Sequence, residues 1–564
     1  LNKGELKMAK NYLQIGGLNR KNQNVPQTEK VKENQILNNA GGYVYQIDEI
    51  EQLKRFLVLG SCSSTYYVSA KKLTKDNVDV LEKIFENTDL GKKAVDAIEQ
   101  FSLEGRAPKQ DPTLFALAVA SSSPNQEVRT YALSKLSSVC RTGSFLFSYI
   151  TYVDSMRGWG RGLRNAIANW YTEKSPGKVA YQVCKYPQRR VEGELPWSHR
   201  DLMRKVHVKS GGNLNAIMKY VVKGVESFSS SEFASFKHND DLKYIWAHEQ
   251  AKKATNSKDI VSLVEEFGIT RESIPNNLFD KKVWKAMLER GMPMTAMIRN
   301  LRNMTKADVL KPMGVETKLV VDALSDQEAL HKSRIHPLNV LAALNAYAPS
   351  HFSSSRGFWG YAPSIDYVPV PQVTDALENA FYSSFKNVEP TGKNIMMAVD
   401  VSGSMSQGMP NVSDMSCAMG AAAMAMVFAR TEPNYYVHGF AGQFVDLGIT
   451  ASDTLQQAMH KAQMRNFGST NAAVAAEYAT KNRLDVDAFV ILSDMETWSG
   501  STHVDRAMDT YRNIMNKPDS KMICVGMVSN GISVGDPKDR NALNAVGFDI
   551  ALPQIVADFI KGEL

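Results

Sequence analysis

The chain has 564 residues, too many for one ordinary domain, and its 43% hydrophobic and 22% charged content excludes a mostly disordered protein. Its five cysteines lie far apart with no CxxC pair, which excludes a zinc ribbon and argues against a disulfide framework. The net charge of +7 hides an asymmetry: residues 391–564 carry 13 basic against 18 acidic residues, and residues 1–390 carry 53 against 41. A basic first two-thirds suits a polyanionic partner, although both balances are also compatible with plain solvated surface. The longest uncharged apolar stretch, Cys417 to Ala429, is 13 residues, short of the roughly 20 that span a bilayer. With no charged-then-apolar leader at the start, these features predict a soluble, cytoplasmic protein without a membrane partner.

In chain order, residues 1–30 are polar and aperiodic and read as a flexible arm. From about Glu49 to Leu344 helical periodicity dominates, with short Gly, Pro, Ser or Asn interruptions. The spacing predicts helices over Val78–Glu86, Pro112–Ala120, Glu127–Val139, Leu163–Thr172, Val283–Arg290 and Leu319–Leu324. Many short helices with brief connectors predict a helical-repeat body without a clean sequence period. After a Val/Pro-rich connector and a helix over Asp375–Asn387, the pattern changes. Strands are expected at Asn394–Val399, Asn434–Phe440, Val486–Leu492 and Lys521–Val528. Helices are expected at Asn411–Arg430, Thr470–Lys481, Val504–Lys517 and Pro553–Lys561. Strands alternating with helices predict a parallel, doubly wound α/β domain.

Asp400-Val401-Ser402-Gly403-Ser404 follows the first of those strands, where ligand sites form in such sheets. A carboxylate and two hydroxyls on one tight loop are hard oxygen ligands suited to Mg²⁺. Thr470, in Gly468-Ser469-Thr470-Asn471, and Asp494, in Ser493-Asp494-Met495-Glu496, would complete a five-oxygen set. The other reading of this loop is metal-free, with its Ser side chains capping the following helix. The set resembles the von Willebrand factor A domain and its metal-ion-dependent adhesion site. That resemblance implies Asp400, Ser402, Ser404, Thr470 and Asp494 as direct or water-mediated ligands of a divalent cation, with one position open to an acidic partner. Two loops depart from the family's habit. Gly-Gly-Thr-Asp is replaced by Gly468-Ser469-Thr470-Asn471, and Thr-Asp-Asn-Glu-Thr by Ser493-Asp494-Met495-Glu496-Thr497. An enzyme is not expected. No GxSxG elbow surrounds Ser404, no HExxH is present, and the GxGxG at Gly158–Gly162 follows no strand.

Positive charge peaks between Arg157 and Lys209, with 12 basic against 4 acidic residues. Arg161 and Arg164, three apart, share a helix face. Trp159, Trp170, Tyr171, Tyr181, Tyr186 and Trp197 interleave with the charges. Such a stretch serves either single-stranded RNA, by phosphate contact and base stacking, or simply a core with a solvated face. Trp197-Ser198-His199-Arg200-Asp201 reads as a capping box with Ser198 as N-cap, placing His199 and Arg200 at a helix start that favours an anion. Arg204 lies one turn beyond Arg200, beside Lys205.

The order of a basic helical body followed by an A-like domain resembles the Ro 60 kDa family of ring-shaped RNA-binding autoantigens. The resemblance rests on Asn39-Ala40-Gly41-Gly42-Tyr43-Val44-Tyr45, Arg55-Phe56-Leu57, Gly158-Trp159-Gly160-Arg161, Trp197-Ser198-His199, Arg299-Asn300-Leu301, Arg334-Ile335-His336-Pro337 and Gly547-Phe548-Asp549. It implies HEAT-like repeats closed into a monomeric ring over residues 31–371, and a von Willebrand A domain over 372–564 joining the ring's ends. It also implies Y RNA on the outer surface and single-stranded 3′ ends of misfolded non-coding RNA in the central hole. A link to polynucleotide phosphorylase or another exoribonuclease follows for bacterial relatives. By motif, Lys185, Arg189, His199, Arg200, Arg204 and Lys205 become RNA contacts, with Arg161 and Arg164 beside them. An insert, Val191–Pro196, precedes Trp197. The competing function is a protein-interaction scaffold that captures an acidic partner through the metal.

Overall fold

The helical periodicity of the first two-thirds becomes helices in the computed structural model, which describes residues 25–59, 79–189, 197–349, 365–385, 389–409, 412–463 and 468–563. Two compact units emerge, and neither is continuous in sequence. One comprises residues 79–349 with 365–384; the other comprises 25–59 with 385 and 389–563.

The first unit is built of helices whose ends the sequence dictates locally. Thr88–Glu104 starts at Asn87, whose side chain accepts the Leu90 amide at 2.9 Å, and stops at Gly105 in the left-handed conformation, φ 74°. Its Ala94, Val95, Ile98 and Phe101 recur at helical spacing and are buried. Asp111–Ser122 packs on Gly143–Met156, Ser257–Phe267 on Lys281–Glu289, and both Val315–Ser325 and Pro337–Tyr347 on Pro371–Ser383. The expected helix Glu127–Val139 is instead two, Gln126–Ser134 and Leu136–Val139, broken at Lys135. The expected Val78–Glu86 begins at a residue outside the described ones.

The second unit carries a six-stranded sheet. Its order from edge to edge is Ala542–Val546, Lys521–Gly526, Ala488–Ser493, Ile395–Asp400, Tyr435–Phe440 and Phe444–Asp446. The first five strands are parallel; the last pairs antiparallel with Tyr435–Phe440, so the sheet is mixed where a parallel one was expected. The three central strands are buried along their length, apart from half-buried Lys521. The expected helix Asn411–Arg430 starts late, at Cys417, because Val412–Ser416 pairs as a strand with Gly408–Met409.

Tertiary packing also revises the expected boundaries at residues 30 and 371. Gln35–Leu37 pairs with Tyr43–Gln46, which pairs in turn with Ile532–Ser533 of the A-like unit. Val44 enters the same apolar cluster as Met396, Phe440 and Val534. In the helix Glu49–Leu59, Arg55 is fully buried, and its Nη1 donates to the Ile532 carbonyl at 2.7 Å and to Asn530 Oδ1 at 3.2 Å. Gly526 leaves room for it: a Cβ there would lie 2.8 Å from the Arg55 Cζ. The arm expected over 1–30 ends early, since Gln27 is buried and its Nε2 donates to the Tyr43 carbonyl. Pro371–Ser383, assigned from sequence to the A-like domain, packs with the helices. Cys140, Cys184, Cys417 and Cys524 are buried free thiols, and no described helix is long and apolar enough to cross a membrane.

Candidate functional site

Two regions carry the expected site residues, one in each unit. In the helical unit, Arg161–Thr172 and His199–Val206 pack together. Arg161, Arg164, Arg200, Arg204 and Lys205 are all exposed on them, and no ion pair neutralises them among the described residues. Trp159, on the Gly-rich turn into the first helix, lies 5.5 Å from Trp197, just before the second. The Lys205 ammonium stands 4.6 Å from the Trp159 ring and 5.5 Å from the Trp197 ring. A cation over two half-buried indoles makes one surface of charge and flat aromatic area. Trp170 and Tyr171, by contrast, are wholly buried core.

The capping box forms as expected. Ser198 Oγ accepts the Asp201 amide at 3.3 Å, and Asp201 Oδ2 accepts the Ser198 amide at 3.0 Å. His199, however, does not reach the surface. It is 1% exposed, with its ring centroid 4.8 Å from Phe147, 5.7 Å from Tyr171 and 6.0 Å from Trp170. Its Nδ1 hydrogen-bonds the Tyr171 hydroxyl at 2.7 Å. Gly143 admits the ring, because a Cβ there would sit 2.6 Å from Nε2. The expectation of a direct RNA contact is therefore corrected: the first position of this helix faces the core, and His199 anchors the basic helix. Burial pushes the imidazole down to about 3. The unfolded imidazole takes up a proton below about 6.5 and the folded one does not, so stability falls as pH drops through that window. Between pH 7.5 and 5 this linkage removes about 2 kcal/mol. Urea unfolding of the wild type and His199→Gln at both pH values checks it: the variant is expected to lose that share of the pH dependence.

Lys185 is half-buried. Its Nζ donates to Tyr181 Oη at 2.9 Å and lies 5.4 Å from the Tyr186 ring. It lines a pocket of about 350 Å³ with Tyr181, Tyr244, Arg271 and Arg290. A second pocket, of about 430 Å³, gathers Arg141, Lys174, Lys178 and Tyr181. Burial lowers Lys174 to about 8 and Arg141 to about 10. Sequence reasoning did not single out Arg141, Arg271 and Arg290, which lie outside the basic stretch Arg157–Lys209 and meet Lys174, Lys178 and Lys185 only through the fold. Arg189 lies in a two-residue strand paired with Trp197, and the insert Val191–Pro196 lies outside the described residues.

In the A-like unit, Asp400 ends the strand Ile395–Asp400, Ser402 and Ser404 follow it, Asp494 follows Ala488–Ser493, and Thr470 lies between the helices Leu455–Gln463 and Val474–Lys481; all five are buried. Asp400 Oδ1 accepts the Ser402 amide at 2.9 Å, and its Oδ2 accepts Ser493 Oγ at 2.5 Å. Ser402 and Ser404 hydroxyls stand 3.0 Å apart. The Thr470 carbonyl accepts the amides of Trp498 and Ser499 at 3.1 and 2.9 Å, tying the second loop to the third. Among the described residues Asp494 Oδ2 is buried with no donor. Burial pushes the Asp400 carboxyl upward, and the neighbouring Asp494 charge adds to this. Two buried carboxylates, an unmet oxygen and two convergent hydroxyls fit a hard divalent cation. Nothing in the structure explains the two loop departures. Asn471 Oδ1 accepts the Ala473 amide at 3.1 Å, an acceptor role that an Asp would share. Met495 occupies the left-handed region at φ 65°, which Asn tolerates better. Glu496, fully buried and pushed up to about 7 by burial, is bound through both oxygens by Asn39.

Comparison with known proteins places both units. A TROVE domain model matches residues 36–349, and a Ro60 vWA domain model matches residues 394–560. The RNA-binding protein RO60 of Deinococcus radiodurans is 37% identical over 545 residues, covering 96% of this chain and 98% of that protein. Its namesake in Caenorhabditis elegans is 33% identical over 607 residues, covering 95% and 92%. The crystal structure of the Deinococcus radiodurans Ro (Rsr) protein superposes with a TM-score of 0.65 at 35% identity, covering 92% of this chain and all of that one. With a TROVE body, a Ro60-type A domain and relatives matched along nearly its whole length, this chain belongs to the Ro60 family.

Proposed function

We propose that this protein binds structured non-coding RNA, taking a Y RNA-like stem on its basic surface and single-stranded 3′ ends of misfolded RNA through its helical body, without catalysis of its own. The observation that carries the reading is the Lys205 ammonium set over Trp159 and Trp197, among the exposed charges Arg161, Arg164, Arg200 and Arg204. Phosphates pair with the charges, and unstacked bases lie on the rings. Relatives named as RNA-binding proteins support it. RNA held this way suits delivery to a separate exoribonuclease, as a quality-control scaffold.

In the A-like unit, Asp400, Ser402, Ser404, Thr470 and Asp494 would hold Mg²⁺, which supplies a positive coordination point for an acidic group of a partner protein. The deciding experiment is fluorescence anisotropy with two RNAs sharing one stem, one blunt and one bearing a single-stranded 3′ tail. The tailed RNA is expected to bind about tenfold tighter or more, the worth of a stacked base. Equal, weak binding of both would defeat the RNA reading. Binding should survive EDTA, since phosphate contacts need no metal, whereas capture of an acidic protein should not.

A further inference from the structure

We propose that the N-terminal turn Asn38–Gly42 is a positioning element of the metal site, clamping the loop that presents Asp494. The inference rests on the metal reading above and goes beyond the five ligands. Asn38 Nδ2 donates to the Thr497 carbonyl at 2.8 Å. The Asn39 amide donates to Glu496 Oε2 at 3.0 Å, and its Nδ2 to Oε1 at 2.9 Å. Both oxygens of the only other carboxylate on that loop are thus bound from a segment more than 450 positions away in sequence. Gly42 closes the contact: a Cβ there would fall 2.0 Å from the Thr497 carbonyl oxygen, so no other residue admits this approach. A second strut comes from the same segment. Buried Arg55 donates to Asn530 Oδ1, and Asn530 Nδ2 donates to the Asp494 carbonyl at 2.7 Å.

The loop needs such support. Met495, next to Asp494, holds a left-handed conformation disfavoured for its side chain. Asp494 brings a buried oxygen without a donor. Outer groups that fix a ligand's orientation typically contribute 10–100-fold to metal affinity. Bidentate capture of Glu496 also occupies both oxygens of a third carboxylate on this loop, leaving to an acidic partner the coordination position they could otherwise take.

The test is isothermal titration of Mn²⁺ into the full-length chain, comparing wild type, Asn39→Ala, Asn39→Gln and Asp400→Ala. Asn39 is exposed, so its variants should keep the fold; melting in EDTA monitors this. Asn39→Ala is expected to weaken Mn²⁺ about tenfold or more, with its EDTA melting midpoint close to wild type. Asn39→Gln, which keeps a donor amide, should retain part of the affinity. A purely structural role would move the melting midpoint and leave the affinity alone. If wild type binds Mn²⁺, Asp400→Ala does not, and Asn39→Ala matches wild type, the clamp is overturned while the metal site stands. If wild type takes up no Mn²⁺, the metal reading fails and the clamp with it. Hydrogen exchange in EDTA gives an independent readout: the Trp498 and Ser499 amides, bonded to the Thr470 carbonyl, should exchange faster in Asn39→Ala, and unchanged rates count against the clamp.

Discussion

Replacing Arg200, Arg204 and Lys205 together by alanine is expected to weaken binding of the tailed stem RNA about 50-fold at 0.15 M salt. Each neutralised phosphate contributes about 0.7 to the log–log salt slope for single strands, which is about fourfold in affinity at that ionic strength. Three contacts therefore multiply to about 50-fold and flatten the slope by about 2. All three side chains are exposed, and the helix buries Leu202 and Met203 on its other side, so the variant should fold. Loss of Lys205 carries an added effect, since it leaves Trp159 and Trp197 without their shared cation. Anisotropy titrations across a roughly sixfold range of KCl centred near 0.15 M read both quantities. An unchanged slope would place the RNA elsewhere on the helical unit, with the cations of the Lys185 and Lys174 pockets the next to replace.

Deleting residues 1–59 is expected to unfold the A-like unit while the helical unit retains its structure. The deletion removes Val44, Tyr45, Ile47, Leu53, Leu57 and Val58, all of them buried, from a unit whose other described residues begin at 385. It also takes three partners from a buried charge and leaves it His503. Asp505, 7% exposed, accepts Tyr45 Oη at 2.5 Å, Gln35 Nε2 at 3.3 Å and Lys32 Nζ at 3.4 Å. Burial alone would raise its carboxyl; His503, Lys32 and Tyr45 together hold it below the ordinary range. Removing the partners of a buried ion typically costs about 3–5 kcal/mol, a large part of a domain's 5–15 kcal/mol, before the lost apolar burial is counted. Limited proteolysis followed by mass spectrometry checks this: cuts should appear throughout 389–563 in the deleted chain and spare 79–349. Equal resistance in both regions would mean that the A-like sheet stands without its N-terminal strands.

Motifs confined to one loop or one helix were legible in the sequence. Asp400-Val401-Ser402-Gly403-Ser404 follows a short apolar strand, and that strand lies at the sheet's centre with its carboxyl end at the loop. Ser198 and Asp201 cap their helix because the capping box needs only four consecutive residues. The charges of Arg161, Arg164, Arg200, Arg204 and Lys205 are exposed as the amphipathic pattern requires. The antiparallel edge strand Phe444–Asp446 was missed, because three residues carry too little periodicity to register.

By itself the sequence determined the local elements: a mainly helical basic body, an α/β domain after residue 390, and five oxygen-bearing residues on or beside its loops, each set by patterns within about ten residues. Only the tertiary structure decided which distant segments meet. It buried His199 in a box of Phe147, Trp170 and Tyr171, where a helix-start reading alone placed it at the surface. It drew residues 25–59 onto the A-like sheet and bound Asn39 to Glu496. The physical reason is common to both. A side chain's partner across the fold is selected by shape and by the cost of leaving buried polar groups unpaired, and neither leaves a periodic trace in the chain.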